Sequence, residues 1–216
     1  TKVSFEMAVV GNATGMKVPR RGMNGFDLPA GKPVEELTEL YDYSSLKGTE
    51  GIVDFVIGAS PAPGIYIIAA TEDPVQQQYL RLYKLGDGPL YCFYTPYHLC
   101  HFEVHNSIAR AKLFNDVTIM PDRKPTVEVI TIAKRDLKAG EVLDGIGFYM
   151  TYGECDHLDV GESEKLLPMI FSKGCQLKRD LPQDAAIQIT DVELPPATLL
   201  WELYQEQKAF YALRHD

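Results

Sequence analysis

The sequence has no long hydrophobic run. No stretch reaches the ~18 apolar residues that a membrane-crossing helix needs, so a membrane is not an expected partner. Positive charge is the minority sign: 21 Lys and Arg stand against 30 Asp and Glu, a formal net charge of −9. With no basic stripe to meet a phosphate backbone, nucleic acid is not an expected partner either. Cysteine is sparse. The four residues Cys92, Cys100, Cys155 and Cys175 form no CxxC pair, which points to reduced thiols in a cytoplasmic protein. The opening TKVSFEMAVV has neither a charged n-region nor a cleavage site, so no secretory leader is expected. HExxH and GxGxxG are both missing. The nearest glycine-rich run, Gly11–Gly15 (GNATG), follows a helical pattern rather than a strand, so no dinucleotide-binding unit is expected within the chain.

What is present suits an ordinary folded protein: 216 residues, 45% hydrophobic and 24% charged, enough for one large domain or two small ones. Residues 2–13 predict a helix, with Phe5, Val9 and Ala13 at near-helical spacing. Residues 14–31, rich in Gly, Pro and Arg, predict a loop. A short helix is expected over 33–42 and strands over 51–58 and 64–70. A helix over 73–85 has Asp73 as its cap and Pro74 at its first position. Leu90–Tyr94 predicts a strand and 103–114 a helix.

Beyond Pro121–Pro125 the texture changes. Val127–Ala133 (VEVITIA) is strongly β, and short β segments and turns follow. Ala133–Asp144 (AKRDLKAGEVLD) and Leu177–Gln188 (LKRDLPQDAAIQ) share KRDL, which predicts a duplicated supersecondary unit over roughly 125–195. A last helix is expected over 197–213, with Leu200, Leu203, Tyr204 and Gln207 on one face that docks on the body or on a partner subunit. The fold class is α+β.

The densest chemistry lies in Phe93–Ala111 (FYTPYHLCHFEVHNSIARA). It holds three of the five histidines, His98, His101 and His105, with Cys100 and Glu103. Imidazoles and a carboxylate suit zinc or iron, but HxxHxExH is not a standard site, and the same residues can order a loop and cap a helix. Cys100 beside His101 lacks a third residue to orient a base. Lys2 and Glu6, at i,i+4, share one helix face. They form either a solvated surface pair or a proton donor and oxyanion clamp. Arg20 and Arg21, in the glycine-rich loop, are either exposed charges or a bidentate clamp for a phosphate or carboxylate.

Ala133–Glu141, Gly174–Leu181 and Asp191–Leu194 resemble the SAF domain, a β-clip module. TKVSFEMAVVGNATG, RRGM and FYTPYHL…HFEVHNSIARA resemble the central catalytic domain of homoserine dehydrogenase-like oxidoreductases, a group that includes deoxyxylulose-phosphate reductoisomerase-like enzymes. The resemblance implies a mixed α/β catalytic domain over 1–122, a SAF-like β-clip over 123–196 and a C-terminal helix over 197–216. An N-terminal Rossmann domain would precede Thr1 and hold most of the NAD or NADP. The implied activity is NAD(P)-dependent reduction of a small carbonyl or sugar-phosphate-type substrate. Lys2, Glu6 and His98 would be catalytic, with Lys2 stabilising the developing alkoxide. Asn12, Arg20, Arg21 and His101 would bind a substrate that carries an anionic group. Cys100 stands where a proline is expected between the histidines, which puts the pocket wall in question. A reductoisomerase would add a divalent metal, for which no acidic cluster is visible, so no metal ligand is assigned. A homo-oligomer is expected. The alternative is a non-catalytic SAF-type carbohydrate-binding or oligomerisation module.

Overall fold

The computed structural model describes residues 1–97, 100–121 and 123–213. In chain order these form α1 (Lys2–Thr14), β1 (Phe26–Pro33), a 3-10 helix (Val34–Leu40) and α2 (Tyr43–Leu46). Next come β2 (Val56–Ser60), β3 (Ile65–Ala70), α3 (Pro74–Leu82), β4 (Leu90–Thr95) and α4 (Cys100–Phe114). The remainder is β5 (Val127–Ala133), β6 (Thr151–His157), α5 (Leu158–Ser163), β7 (Gln176–Leu177), β8 (Val192–Glu193) and α6 (Leu199–Ala212). The architecture is α+β. Packing divides it into two units, one of residues 1–24, 50–55 and 121–216, the other of 25–49 and 56–120.

The first unit is built on the antiparallel β5–β6 pair, in register from Val127 opposite His157 to Ala133 opposite Thr151. All of β5 except Glu128 is buried, which is why it reads as a nearly unbroken apolar run. α1 packs on this pair. Its buried residues are Ser4, Ala8 and Gly11, not the Phe5, Val9, Ala13 row, and Val9 is exposed. Small side chains let the helix approach closely: a Cβ on Gly11 would sit 2.9 Å from Val127 Cγ2.

The KRDL repeat becomes a local two-fold. Leu137 N–H donates to Leu181 O at 2.8 Å, and Leu181 N–H returns a bond to Leu137 O at 2.9 Å. Asp136 Oδ1 accepts from Gln183 N, and its counterpart Asp180 Oδ1 accepts from Ala139 N, both at 2.9 Å. Gly140 N–H bonds Leu177 O, and Asp184 N–H bonds Ala133 O. Gly140 and Asp184 both have left-handed φ, 88° and 63°. Each aspartate thus closes the turn of the opposite repeat. Between the repeats lies a core of Leu137, Leu143, Leu167, Leu177, Leu181 and Ile187.

α6 starts at Thr198, whose hydroxyl accepts from Trp201 N–H. It docks through Trp201 and Tyr204, whose rings meet Phe171 edge-on at 4.8 and 5.0 Å. Of the expected face, Tyr204 packs on the body, whereas Leu200 and Leu203 are exposed. Aromatic edge contacts with Phe171 set the rotation of the helix instead.

The second unit holds two two-stranded sheets. β1 and β2 pair in parallel with a register irregularity between Asp27 and Lys32. Residues 26–31 therefore belong to a strand rather than to the expected loop. The irregularity accommodates the Pro29–Gly31 stretch that disguised it. β3 and β4 pair antiparallel. Tyr66, Ile68 and Cys92 pack around Val34 and Leu37. The opposite face leaves Ile65, Ile67 and Phe93 exposed. α4 has no buried residue, and Phe102, Ile108 and Phe114 are exposed on it. No helix among the described residues is long and apolar enough to cross a membrane.

Candidate functional site

α1 carries the first candidates. Lys2 Nζ lies 3.7 Å from Glu6 Oε1, with the two side chains 79% and 51% exposed. An exposed i,i+4 pair of this kind contributes about 0–1 kcal/mol, so little stability binds either residue to the other. Asn12, one helical turn before the end of α1, is occupied differently. Its Oδ1 accepts from Thr126 N and Val127 N at 2.9 Å, and its Nδ2 donates to Val127 O at 3.0 Å. That amide closes the start of β5 and is spent on backbone.

The arginine loop is pinned at several points. Lys17 N–H bonds Gly51 O, Gly22 N–H bonds Cys155 O, and Asn24 is held by both carboxylate oxygens of Asp54. Arg20 donates to the carbonyls of Met23 and Asn24 and remains exposed. Arg21 points into the fold. Its Nε donates to Asp156 Oδ2 at 2.5 Å and its Nη2 to Glu164 Oε2 at 2.7 Å. Asp156 is 3% exposed, so Arg21 neutralises a buried acid before it can meet a ligand. Beside them, burial raises the Glu154 carboxyl above its ordinary value while the Arg21 charge pulls it down.

The remaining candidates belong to the second unit. His101 is exposed in the first turn of α4, its ring 4.4 Å from that of Phe102. Position 98 lies outside the described residues. All four cysteines are free thiols. Burial pushes Cys155 up to about 12 and Cys175 up to about 11, which makes both inert as nucleophiles. The structure therefore brings Lys2 to Glu6 and Arg21 to Asp156 and Glu164, and commits Asn12 to β5.

Residues 1–104 match the family model described as oxidoreductase DRL, catalytic domain. No protein with a curated description matches the chain. The match supports an oxidoreductase catalytic domain. It spans α1, the arginine loop and the first turn of α4, and so includes Lys2, Glu6, Asn12, Arg20, Arg21, His98 and His101.

The glycine-rich run at the end of α1 does not form a nucleotide cradle of the familiar kind. Gly11–Gly15 closes the C-terminal end of α1: Gly15, with φ 82°, donates its N–H to Gly11 O. A helix C-terminus carries partial negative charge and repels a pyrophosphate, which sits at an N-terminus in dinucleotide folds. Among the described residues no group of three or more His, Cys, Asp or Glu is placed to hold a metal ion.

One acid had no prominent signal in the sequence. Glu128 interrupts the apolar β5 run, and that interruption is the only clue. Its Oε2 accepts from Tyr204 Oη at 3.2 Å and its Oε1 from Val129 N at 3.0 Å. Desolvation raises its pKa from the ordinary 4.5, outweighing these two bonds. A carboxyl raised by folding favours the folded state below its unfolded pKa and loses that contribution as pH climbs through the folded value. Glu128→Gln keeps an acceptor for Tyr204 and removes the charge. It should raise the melting temperature at pH 7, with the gain shrinking toward zero as pH falls below the ordinary carboxylate range. Thermal scans across pH check this. A gain that persists at low pH would assign the effect to something other than charge.

Proposed function

We propose that this chain supplies the catalytic and C-terminal portion of an NAD(P)-dependent oxidoreductase that reduces a small carbonyl or sugar-phosphate-type substrate. The match of residues 1–104 to an oxidoreductase catalytic domain carries this reading. Lys2, Glu6 and His98 are its catalytic residues. The Lys2 ammonium, exposed and loosely held by Glu6, offers a charge-assisted donor to the oxygen that turns negative as a carbonyl is reduced. Arg20 and His101 bind the substrate, Arg20 through an anionic group. Asn12 and Arg21, committed within the chain, act as positioning residues for α1 and the arginine loop. Residues 123–196 are a SAF-like β-clip, a reading supported by the two-fold exchange of bonds between the KRDL repeats. The four free cysteines support a cytoplasmic location.

In the full-length protein, Lys2→Ala, Glu6→Gln and His98→Ala should each lower kcat at least about tenfold, about 1.4 kcal/mol in the barrier. Wild-type rates in all three would remove this site assignment.

The same protein is proposed to be a homo-oligomer. The exposed Ile65, Ile67 and Phe93 face of the β3–β4 pair supports a second copy as its cover. The strands have no third neighbour among the described residues, and an exposed apolar face of this kind marks an association surface. Light scattering should give at least a dimer mass, reduced by Ile67→Asp. A wild-type monomer at tens of micromolar, a concentration at which such faces ordinarily associate, would contradict it.

A further inference from the structure

A cavity of about 260 Å3 lies among β5, α5 and α6, within the first unit. It is near the lower limit of small-molecule pockets, ~300 Å3. Ile130, Leu158 and Leu166 make its walls apolar, and Trp201 and Tyr204 supply aromatic faces. Two ionisable side chains in this lining stand apart from the rest. Glu128 is held only by a tyrosine hydroxyl and its own backbone, with no ion pair among the described residues. Lys165 also has no ion pair among the described residues. Its backbone is fixed in a left-handed turn, φ 56°, by bonds from its N–H to Glu162 O and from Ile189 N–H to its carbonyl. The other acid and lysine of the lining, Glu162 and Lys208, already pair with each other at 2.8 Å.

A carboxylate with no ion pair among the described residues and the exposed ammonium of Lys165 thus line one largely apolar cavity. A ligand bearing a single charge can pair with only one of them, whereas a ligand with both charges and an apolar body can pair with both. We propose that this cavity binds a small zwitterion with an aliphatic body, an amino acid in chemical class, with its ammonium on Glu128 and its carboxylate on Lys165. This proposal does not depend on the oxidoreductase reading, because none of its residues is assigned a catalytic role.

Trp201 is the single tryptophan of the chain and lines the cavity, so its emission reports entry directly. The 216-residue chain is titrated with leucine, with 3-methylbutylamine and with 4-methylpentanoate. Leucine should give a saturable change in Trp201 emission, and each singly charged analogue should bind at least about tenfold more weakly. Glu128→Gln and Lys165→Met, checked for folding by circular dichroism, should each weaken leucine by about tenfold. The proposal is overturned if leucine gives no saturable change or binds no better than its analogues. It is also overturned if both folded variants keep the wild-type affinity.

Discussion

Leu137→Ala is expected to lower the unfolding free energy by about 2–5 kcal/mol, and Leu181→Ala by a similar amount. Leu137 is 0% and Leu181 2% exposed. They are equivalent positions of the two KRDL repeats, and their backbones exchange both ladder bonds. Truncating either side chain leaves a void at the centre of the core that also contains Leu143, Leu167 and Ile187. The surrounding core residues come from separate segments of the chain and cannot all move inward, so the loss belongs toward the upper end of the range. The two sites touch, and the double variant should therefore cost less than the sum of the singles. Urea unfolding measures all three. Losses under about 1 kcal/mol, the level of a surface change, would mean that the repeat pairing does not centre this core.

Arg21→Ala is expected to cost about 2–3 kcal/mol. Removing one partner of a fully buried pair costs about 3–5 kcal/mol because the other charge is stranded. Asp156 is 3% exposed, but Arg21 is 34% exposed, so water reaches the vacated space and moderates the loss. Asp156 keeps one backbone bond, from His157 N–H at 2.8 Å. Arg21→Lys should recover only part of the loss, since an ammonium cannot span Asp156 and Glu164 with the geometry of the guanidinium. Replacing the acid as well, in Arg21→Ala with Asp156→Asn, should recover more, because the stranded charge is the source of the cost. If the double variant is no more stable than Arg21→Ala alone, the buried charge is not what matters. Denaturant unfolding of the four proteins decides.

The parts of this fold that were legible in the sequence are those whose signal is local or repeated. VEVITIA predicts β5 with the bounds it has, because a strand buried on both faces is written as an apolar run. KRDL, met twice, predicts two related halves, and the halves pair residue for residue. The last helix is marked by Leu200, Leu203, Tyr204 and Gln207 at helical spacing, although of these only Tyr204 meets Phe171. The α+β class follows from the mixture. Partnerships across long separations were not legible. Arg21 meets Asp156 across 135 positions, and nothing in RRGM names that acid. The only hint was Glu154 and Asp156 at i,i+2, two acids on one strand face in need of a cation. Likewise, α1 packs with the C-terminal half of the chain through Ser4, Ala8 and Gly11, residues too small to register as an apolar stripe. β1 was hidden by Pro29 and Gly31, which signal loops wherever a register irregularity does not absorb them. Of the candidate site, the types were visible and the occupancy was not. Two arginines in one loop look alike in sequence, yet one is exposed and the other closes a buried ion pair.

The proposed function is carbonyl reduction with a nicotinamide cofactor. The most direct measurement is nicotinamide oxidation by the full-length protein, followed by absorbance with NADH and with NADPH against a panel of small aldehydes, ketones and sugar phosphates. At least one carbonyl should drive stoichiometric oxidation of one of the two cofactors, and Lys2→Ala should slow it. A folded protein that oxidises neither cofactor with any member of the panel would rule out the proposed function.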